Sequence, residues 1–445
     1  MAARIPGPSL RLWSTYQVLA KPMTSMPRWF ERYGDPFMVP VINGDVVMTA
    51  RPELVKQIFG TNPKGYSPFA AEGMKALTGP RSLFQFRHTE HRRHRKLIMP
   101  SFHGSRMRAY AQAMQHIAHS VFDEAAGPGP VELHPLTQRI SLEVILQTVF
   151  GVQDSTRVQE FADAITTLVD ATSPAFIFMP FLQRELWGLS PYAKFRRIWL
   201  KLDEMLQEQV EQTRAQGEGE DILSMLLAAR DDEGGRMDDE EIRDELRTLL
   251  FAGHETTGIA LSWAVDLIGR HPKVAERLVE ELRALGPDAD PEAVAKVPYL
   301  DAVTNETLRL YPIITEVMRT LHEPTELGGH QLAPPTAVSA SILGIHRNEE
   351  LYPQAETFRP ERFLERKFGA HEFLPFGGGH RRCIGAAFAG FEMRIVLGTL
   401  LREFGVTLQD AQPPHPVRRN VTLAPSTGVP IILDRAKVGQ VRIAA

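Results

Sequence analysis

Cys383 is the only cysteine in 445 residues, and its surroundings favour sulfur chemistry. It follows three consecutive glycines in Phe376-Gly-Gly-Gly-His-Arg-Arg-Cys383-Ile-Gly385 and precedes the apolar stretch GAAFAGFEMRIVLGTLLREF. Glycines let the backbone lie close to a flat ligand. The start of the following helix supplies a positive dipole end and free N–H groups, which favour thiolate over thiol. A thiolate is the form that ligates a metal. A lone cysteine is by default an inert small hydrophobe, and the loop is what departs from that default. Glu306 and Arg309 sit three apart on one face of a helix ending at Tyr311-Pro312. The same spacing recurs at Glu240/Arg243 and Glu280/Arg283, where an ordinary solvated pair is expected. Ala252–Thr257 places a glycine and two threonines, all poor helix formers, in the middle of a long helical pattern and predicts a local break there.

These residues need elements to carry them. Asp238 and Glu241 form a capping-box pattern that opens a helix running toward His271-Pro272, roughly 30 residues or about 45 Å. Helical periodicity dominates from about residue 90 to 310, as in FADAITTLVDA and KLDEMLQEQVEQT. Phe37–Thr49 reads as a hairpin turning at Asn43-Gly44. After about residue 312, short β-prone pieces and Pro-rich loops alternate until the helix behind Cys383, and strands return around VPIIL. The fold class is therefore mainly α with small β-sheets, in a single domain over 1–445, since no internal repeat or low-complexity linker interrupts it.

Composition narrows the function. Lys+Arg 50 against Asp+Glu 54 gives a net charge of −4, with no global bias toward nucleic acid or an anionic membrane. One cysteine excludes an intramolecular disulfide, a four-cysteine zinc site and the usual iron–sulfur cluster, and points to a reducing compartment. The N-terminal MAARIPGPSLRLWSTYQVLAKP has no apolar run long enough for a membrane anchor or signal peptide, so a cytoplasmic location is expected.

The pattern F-x-x-G-x-R-x-C-x-G, matched by Phe376, Gly379, Arg381, Cys383 and Gly385, resembles the haem-binding loop of the cytochrome P-450 family. The resemblance implies haem b with Cys383 as proximal thiolate, Phe376 and Gly385 in the loop around the sulfur, and Arg381 facing a propionate. Phe358-Arg-Pro360-Glu361-Arg362-Phe363 resembles the family's meander, whose arginine, here Arg362, joins Glu306 and Arg309 in a buried network that must be fully paired. Ala252–Thr257 resembles the oxygen-binding motif, in which Glu255 and Thr256 would relay two protons to bound dioxygen. His91 and Arg95 resemble the propionate-binding pair, with Arg319 a further cation. The glycine often found upstream of this histidine is replaced by Arg87-His88-Thr89. The implied fold is that of cytochrome P-450, with haem between a long distal helix and the helix of the cysteine loop.

The implied activity is a monooxygenase, because thiolate ligation favours O–O cleavage. A peroxide-driven peroxygenase, an isomerase of oxygenated substrates and a non-catalytic haem sensor are the alternatives. The chain ends about 60 residues after Cys383 with no second nucleotide-binding signature, so electrons are expected from a separate ferredoxin. Arg92, Arg93, Lys96, His380 and Arg382 are expected to form a basic docking patch for it. Family resemblance lines the pocket with Phe69, Met74, Leu77, Leu83, Phe251, Ala252, Ile313, Ile314, Val317, Thr427 and Val429, under a lid of Phe176, Phe178, Met179 and Phe181. Their apolar character favours a fatty acid or terpenoid, with steroids and polyketides open. Glu316 is expected to face solvent, and the protein to be a monomer.

Overall fold

The computed structural model describes residues 5–69, 71–102, 106–172, 179 and 182–444. Its body is built from helices α1 (His88–Ile98), α2 (Arg106–Ala125), α3 (Leu133–Thr148), α4 (Ser155–Ala171), α5 (Pro191–Gln216), α6 (Asp239–Arg270), α7 (Pro298–Leu310) and α8 (Ala386–Glu403). The mainly helical class expected from the sequence is the one observed.

Helix α6 is the axis of the molecule. The Asp238 carboxylate accepts the Glu241 N–H, and Glu241 accepts the Asp238 N–H in return, so both halves of the capping box form. Asp239, Glu240 and Glu241 in the first turn and Arg270 in the last complement the helix dipole. The break expected at Ala252–Thr257 is absent, and α6 runs unbroken for 32 residues. Packing explains this: a Cβ on Gly253 would lie 2.7 Å from Ile145, and one on Gly258 would lie 3.0 Å from the Gln138 backbone. The glycines thus let α3 lie against α6, and the Thr137 hydroxyl donates to the Gly258 carbonyl across that contact at 2.8 Å. Tertiary contact outweighs the roughly 1 kcal/mol that one glycine costs a helix.

The main core gathers apolar faces of α2 through α8 around this axis. Trp263, fully buried, stacks on Tyr311 at 3.9 Å and donates Nε1–H to the Leu423 carbonyl. Beside the helices lies a five-stranded sheet of β1 (Phe37–Val41), β2 (Gly44–Thr49), β3 (Tyr66–Pro68), β4 (Glu316–Leu321) and β5 (Ala337–Ser341), in the order β1-β2-β5-β4-β3. The β1–β2 hairpin closes with Val41 opposite Gly44, and Gly44 takes a φ of 134° that favours glycine. A further hairpin joins β6 (Pro416–Arg419) to β7 (Thr422–Pro425).

Glu316 does not face solvent. It lies buried on β4, where the Ser339 and Ser341 hydroxyls of β5 donate to its carboxyl at 3.0 Å. The antiparallel register puts all three side chains on one face of the sheet. Among the described residues no helix is long and apolar enough to cross a membrane.

Candidate active site

The cysteine loop hangs between the sheet and α8. Gly377 and Gly379 take φ values of 65° and 66°, where a side chain would be strained. Gly378 faces the Phe59 ring so closely that a Cβ would lie 2.2 Å from it. The Cys383 N–H donates to the Phe376 carbonyl at 3.0 Å and closes the loop, and the Phe376 ring packs on the main core. Gly385 caps α8, and a Cβ there would meet nothing within 4 Å. The Cys383 thiol is accessible yet walled by protein: burial pushes its pKa up, while the Gly385 N–H, Arg382 and Arg95 pull it back toward thiolate.

Four basic side chains converge on this loop. Arg319 is 2% exposed, donates to the carbonyls of Ile58 and Gly378 and lies over the rings of Tyr66 and Phe59, and among the described residues its Nε has no hydrogen-bond partner. Arg381 donates to the carbonyls of Leu83, Phe84 and Phe86, and Arg95 to that of Arg382. Burial lowers the pKa of all three guanidiniums, that of Arg381 to about 10. His91 is pushed down to about 3 by burial and by the neighbouring Arg381 and Arg95, so its ring is neutral. Among the described residues no acid pairs with Arg95, Arg319 or Arg381. Buried cations are tolerated when an anion meets them. A haem fits this set, with a thiolate for its iron and guanidiniums for its two propionates.

Behind the loop the pairing is complete. Glu306 on α7 accepts from Arg309 Nε at 2.7 Å and from Arg362 Nε at 3.0 Å, with all three side chains buried. The remaining guanidinium N–H groups reach the carbonyls of His346, Ala355 and Pro353.

On α6, Glu255 and Thr256 point to different partners. Burial pushes the Glu255 carboxyl up, against the charge of Arg419 and a hydrogen bond with Thr422 in the β6–β7 hairpin. The Thr256 hydroxyl donates back to the Ala252 carbonyl at 2.7 Å. Among the described residues no hydrogen bond joins the two.

The profile of the cytochrome P450 family matches residues 5–431. The chain belongs to the cytochrome P450 family. It is 33% identical over 414 residues to cytochrome P450 137 of Mycobacterium tuberculosis, covering 91% of this chain and 84% of that protein. Cytochrome P450 135A1 of the same species is 31% identical over 433 residues, covering 95% and 93%. Among solved structures, retinoic acid-bound cyanobacterial CYP120A1 matches with a TM-score of 0.85 at 25% identity, over 97% of this chain and 99% of that one. The cytochrome P450DA heme domain matches with a TM-score of 0.85 at 21% identity, over 98% of each, a likeness of fold. A P450 is a haem-thiolate monooxygenase that uses dioxygen, a redox partner and a small-molecule substrate, and Cys383 is the single cysteine of this one.

Of the residues expected to line the P450 pocket, Leu77 and Phe251 do line one cavity, with Ile165, Leu168, Val169, Leu202, Arg247 and Leu250. Leu83 and Met74 pack on the main core nearby, and Ile313 and Val429 are buried within it. Val317 packs on a second cluster beside Gly377, and Phe69 on a third under β1 and β2. Ala252 and Thr427 are exposed, and Ile314 is half-buried. Phe176, Phe178 and Phe181 of the expected lid lie outside the described residues; Met179 is half-buried. The α4 and α5 contributors were missed because they carry no local motif, only the apolar stripe common to any packed helix.

The expected basic patch is smaller than the sequence implied. Arg93 pairs with Asp231 at 2.7 Å and Lys96 with Asp232 at 2.6 Å, an acidic loop far away in the chain. Arg92, His380 and Arg382 remain exposed beside the cysteine loop.

Proposed function

We propose that this P450 hydroxylates an apolar small molecule, a fatty acid or terpenoid before a steroid or polyketide, in the reaction RH + O₂ + 2e⁻ + 2H⁺ → ROH + H₂O. The observation that carries the substrate class is the apolar character of the side chains Leu77, Leu168, Leu202, Leu250 and Phe251, which line a narrow gap beside α6. The likeness to a P450 that binds retinoic acid, a terpenoid acid, supports the same choice.

Cys383 would hold haem b, with Phe376 and Gly385 about the sulfur and His91, Arg95, Arg319 and Arg381 about the propionates, and the bound group would supply oxygen activation. The Glu306–Arg309–Arg362 network keeps the loop behind it in place. Glu255, whose pKa burial raises, holds a proton on its carboxyl more tightly than a solvated acid would, and we assign to the Thr256 hydroxyl, which donates to the Ala252 carbonyl, the role of passing one on. We assign electron delivery to a separate ferredoxin meeting Arg92, His380 and Arg382, and read the chain as a cytoplasmic, monomeric, single-domain enzyme.

The test is substrate-dependent NAD(P)H consumption with a ferredoxin and its reductase, in wild type and Thr256→Ala. The variant should divert at least half of its electrons to hydrogen peroxide while still binding substrate. Unchanged coupling would remove Thr256 from the relay, and no substrate-dependent turnover with any apolar compound would remove the monooxygenase reading of this pocket.

A further inference from the structure

The segment 79–86, which leads into α1, is hydrogen-bonded on both sides. On one side its N–H groups meet α6: that of Arg81 donates to Asp244 Oδ2 and that of Leu83 to Glu245 Oε1, both at 2.7 Å. The Arg81 guanidinium adds Asp238 at 2.6 Å and Glu241 at 3.1 Å. On the other side its carbonyls meet the cysteine loop. Arg381 donates to the Phe86 carbonyl and, more loosely, to those of Leu83 at 3.5 Å and Phe84 at 3.4 Å. Among the described residues, every hydrogen-bond acceptor of Arg381 lies in this segment. It is a strap between the first half of α6 and the guanidinium assigned to a propionate.

The α6 side of the strap is anchored in the interior. Asp244, Glu245 and His94 are all fully buried. His94 Nδ1 lies 2.8 Å from the same Glu245 oxygen that accepts the Leu83 N–H, and its Nε2 lies 3.3 Å from Glu241. The second Glu245 oxygen has no hydrogen-bond partner among the described residues, so the hold of this carboxyl passes through the oxygen shared by Leu83 and His94. The His94 ring also lies 4.3 Å from that of Phe86, whose carbonyl Arg381 uses. His94 stands beside Arg95 and one turn from His91, so the same carboxyl ties to α6 the helix that carries two further groups assigned to the propionates. Gly79, at a φ of 80°, opens the strap against Asp244, where a Cβ would lie 2.1 Å from Oδ1. Buried polar networks of this kind rigidify the elements they join.

We propose that Glu245, with Asp244 and His94, is a positioning residue for Arg381: it fixes the strap to α6, and the strap carbonyls aim the guanidinium at its haem propionate. This rests on the propionate reading of Arg381 and extends it to residues outside the cysteine loop. Glu245 lies ten residues before Glu255 on α6, so the helix that carries the acid of the relay and the cation of the propionate are joined through the strap. A change at Glu245 therefore acts on haem retention through Arg381.

Haem transfer from the loaded protein to an apo-globin acceptor, in a double-mutant cycle with Arg381, tests this. Arg381→Leu alone should quicken transfer about tenfold. Glu245→Leu and Gly79→Ala should each quicken it about three- to tenfold in the wild-type background, but less than about twofold in the Arg381→Leu background, where the strap has no guanidinium left to aim. Glu245→Gln keeps an oxygen for the Leu83 N–H and should stay within about twofold of wild type. Amide hydrogen exchange of peptides spanning 79–86 in the loaded protein should rise at least about tenfold in Glu245→Leu. Because Glu245→Leu leaves His94 buried without its nearer acid and risks misfolding, Gly79→Ala, which keeps every charge in place, decides the cycle without it. Equal quickening by Gly79→Ala in both backgrounds, or none in wild type, overturns the positioning role and leaves the propionate reading standing. Unchanged transfer with Arg381→Leu overturns both.

Discussion

Arg309 and Arg362 lie as deep in the molecule as Arg319, yet the two regions follow opposite rules. Around Glu306 each buried guanidinium meets a carboxylate oxygen and backbone carbonyls, and the cluster is complete within the chain. Around the cysteine loop, Arg95, Arg319 and Arg381 meet carbonyls, and Arg319 also the rings of Tyr66 and Phe59, but among the described residues no carboxylate, and Arg319 Nε has no hydrogen-bond partner there. The first arrangement holds a loop in place. The second holds cations without an anion among the described residues, which is what the proposed haem propionates would supply.

Breaking the complete cluster should have the largest effect. Glu306→Ala strands two buried guanidiniums and should destabilise the protein by about 3–5 kcal/mol, measured by denaturant unfolding with or without haem. A loss of only about 1 kcal/mol would mean that the two regions do not differ as described.

Arg319→Leu should separate fold from cofactor. The haem-free protein should lose no more than about 2 kcal/mol, because one unpaired cation goes with its two carbonyl contacts. Haem transfer to an apo-globin acceptor should quicken about tenfold or more, the worth of one charge-assisted hydrogen bond. Destabilisation of the haem-free protein equal to that of Glu306→Ala would break the comparison.

The smallest effect sharpens the rule from the acidic side. Glu316 is buried with hydroxyl partners and, among the described residues, no ion pair, and burial raises its pKa to about 8 despite Ser339, Ser341 and the charge of Arg418. Its folded form therefore holds a proton that the unfolded chain releases near 4.5, so the stability it contributes is full below that pH and is lost as pH rises through about 8. Glu316→Gln should flatten the fall of unfolding free energy between about pH 4.5 and 8, by at most about 1.4 kcal/mol per pH unit. A wild-type profile no steeper than the variant's would show that the acid is ionised in the fold.

Legibility in the sequence followed locality. The glycine loop, the capping box of α6 and the β1–β2 hairpin are contiguous signals whose geometry depends on a handful of neighbouring residues. The break expected in α6 failed because propensity describes an isolated helix, whereas Gly253 and Gly258 answer to Ile145 and Gln138 on α3. Arg93 and Lys96 read as free cations because their acids, Asp231 and Asp232, lie well over a hundred residues away. Glu316 read as exposed because strand alternation does not say which face is buried.

What the sequence by itself determined is which side chains are available for chemistry and their order: one sulfur in a glycine loop, an acid beside an alcohol, and a Glu–Arg pair awaiting a later arginine. Side-chain type and short-range spacing carry that information. Only the tertiary structure decided which charges are paired and which are left open, because a buried charge is settled by whatever other elements bring against it. That distinction is what supports the proposed assignment of Arg95, Arg319 and Arg381 to the haem propionates.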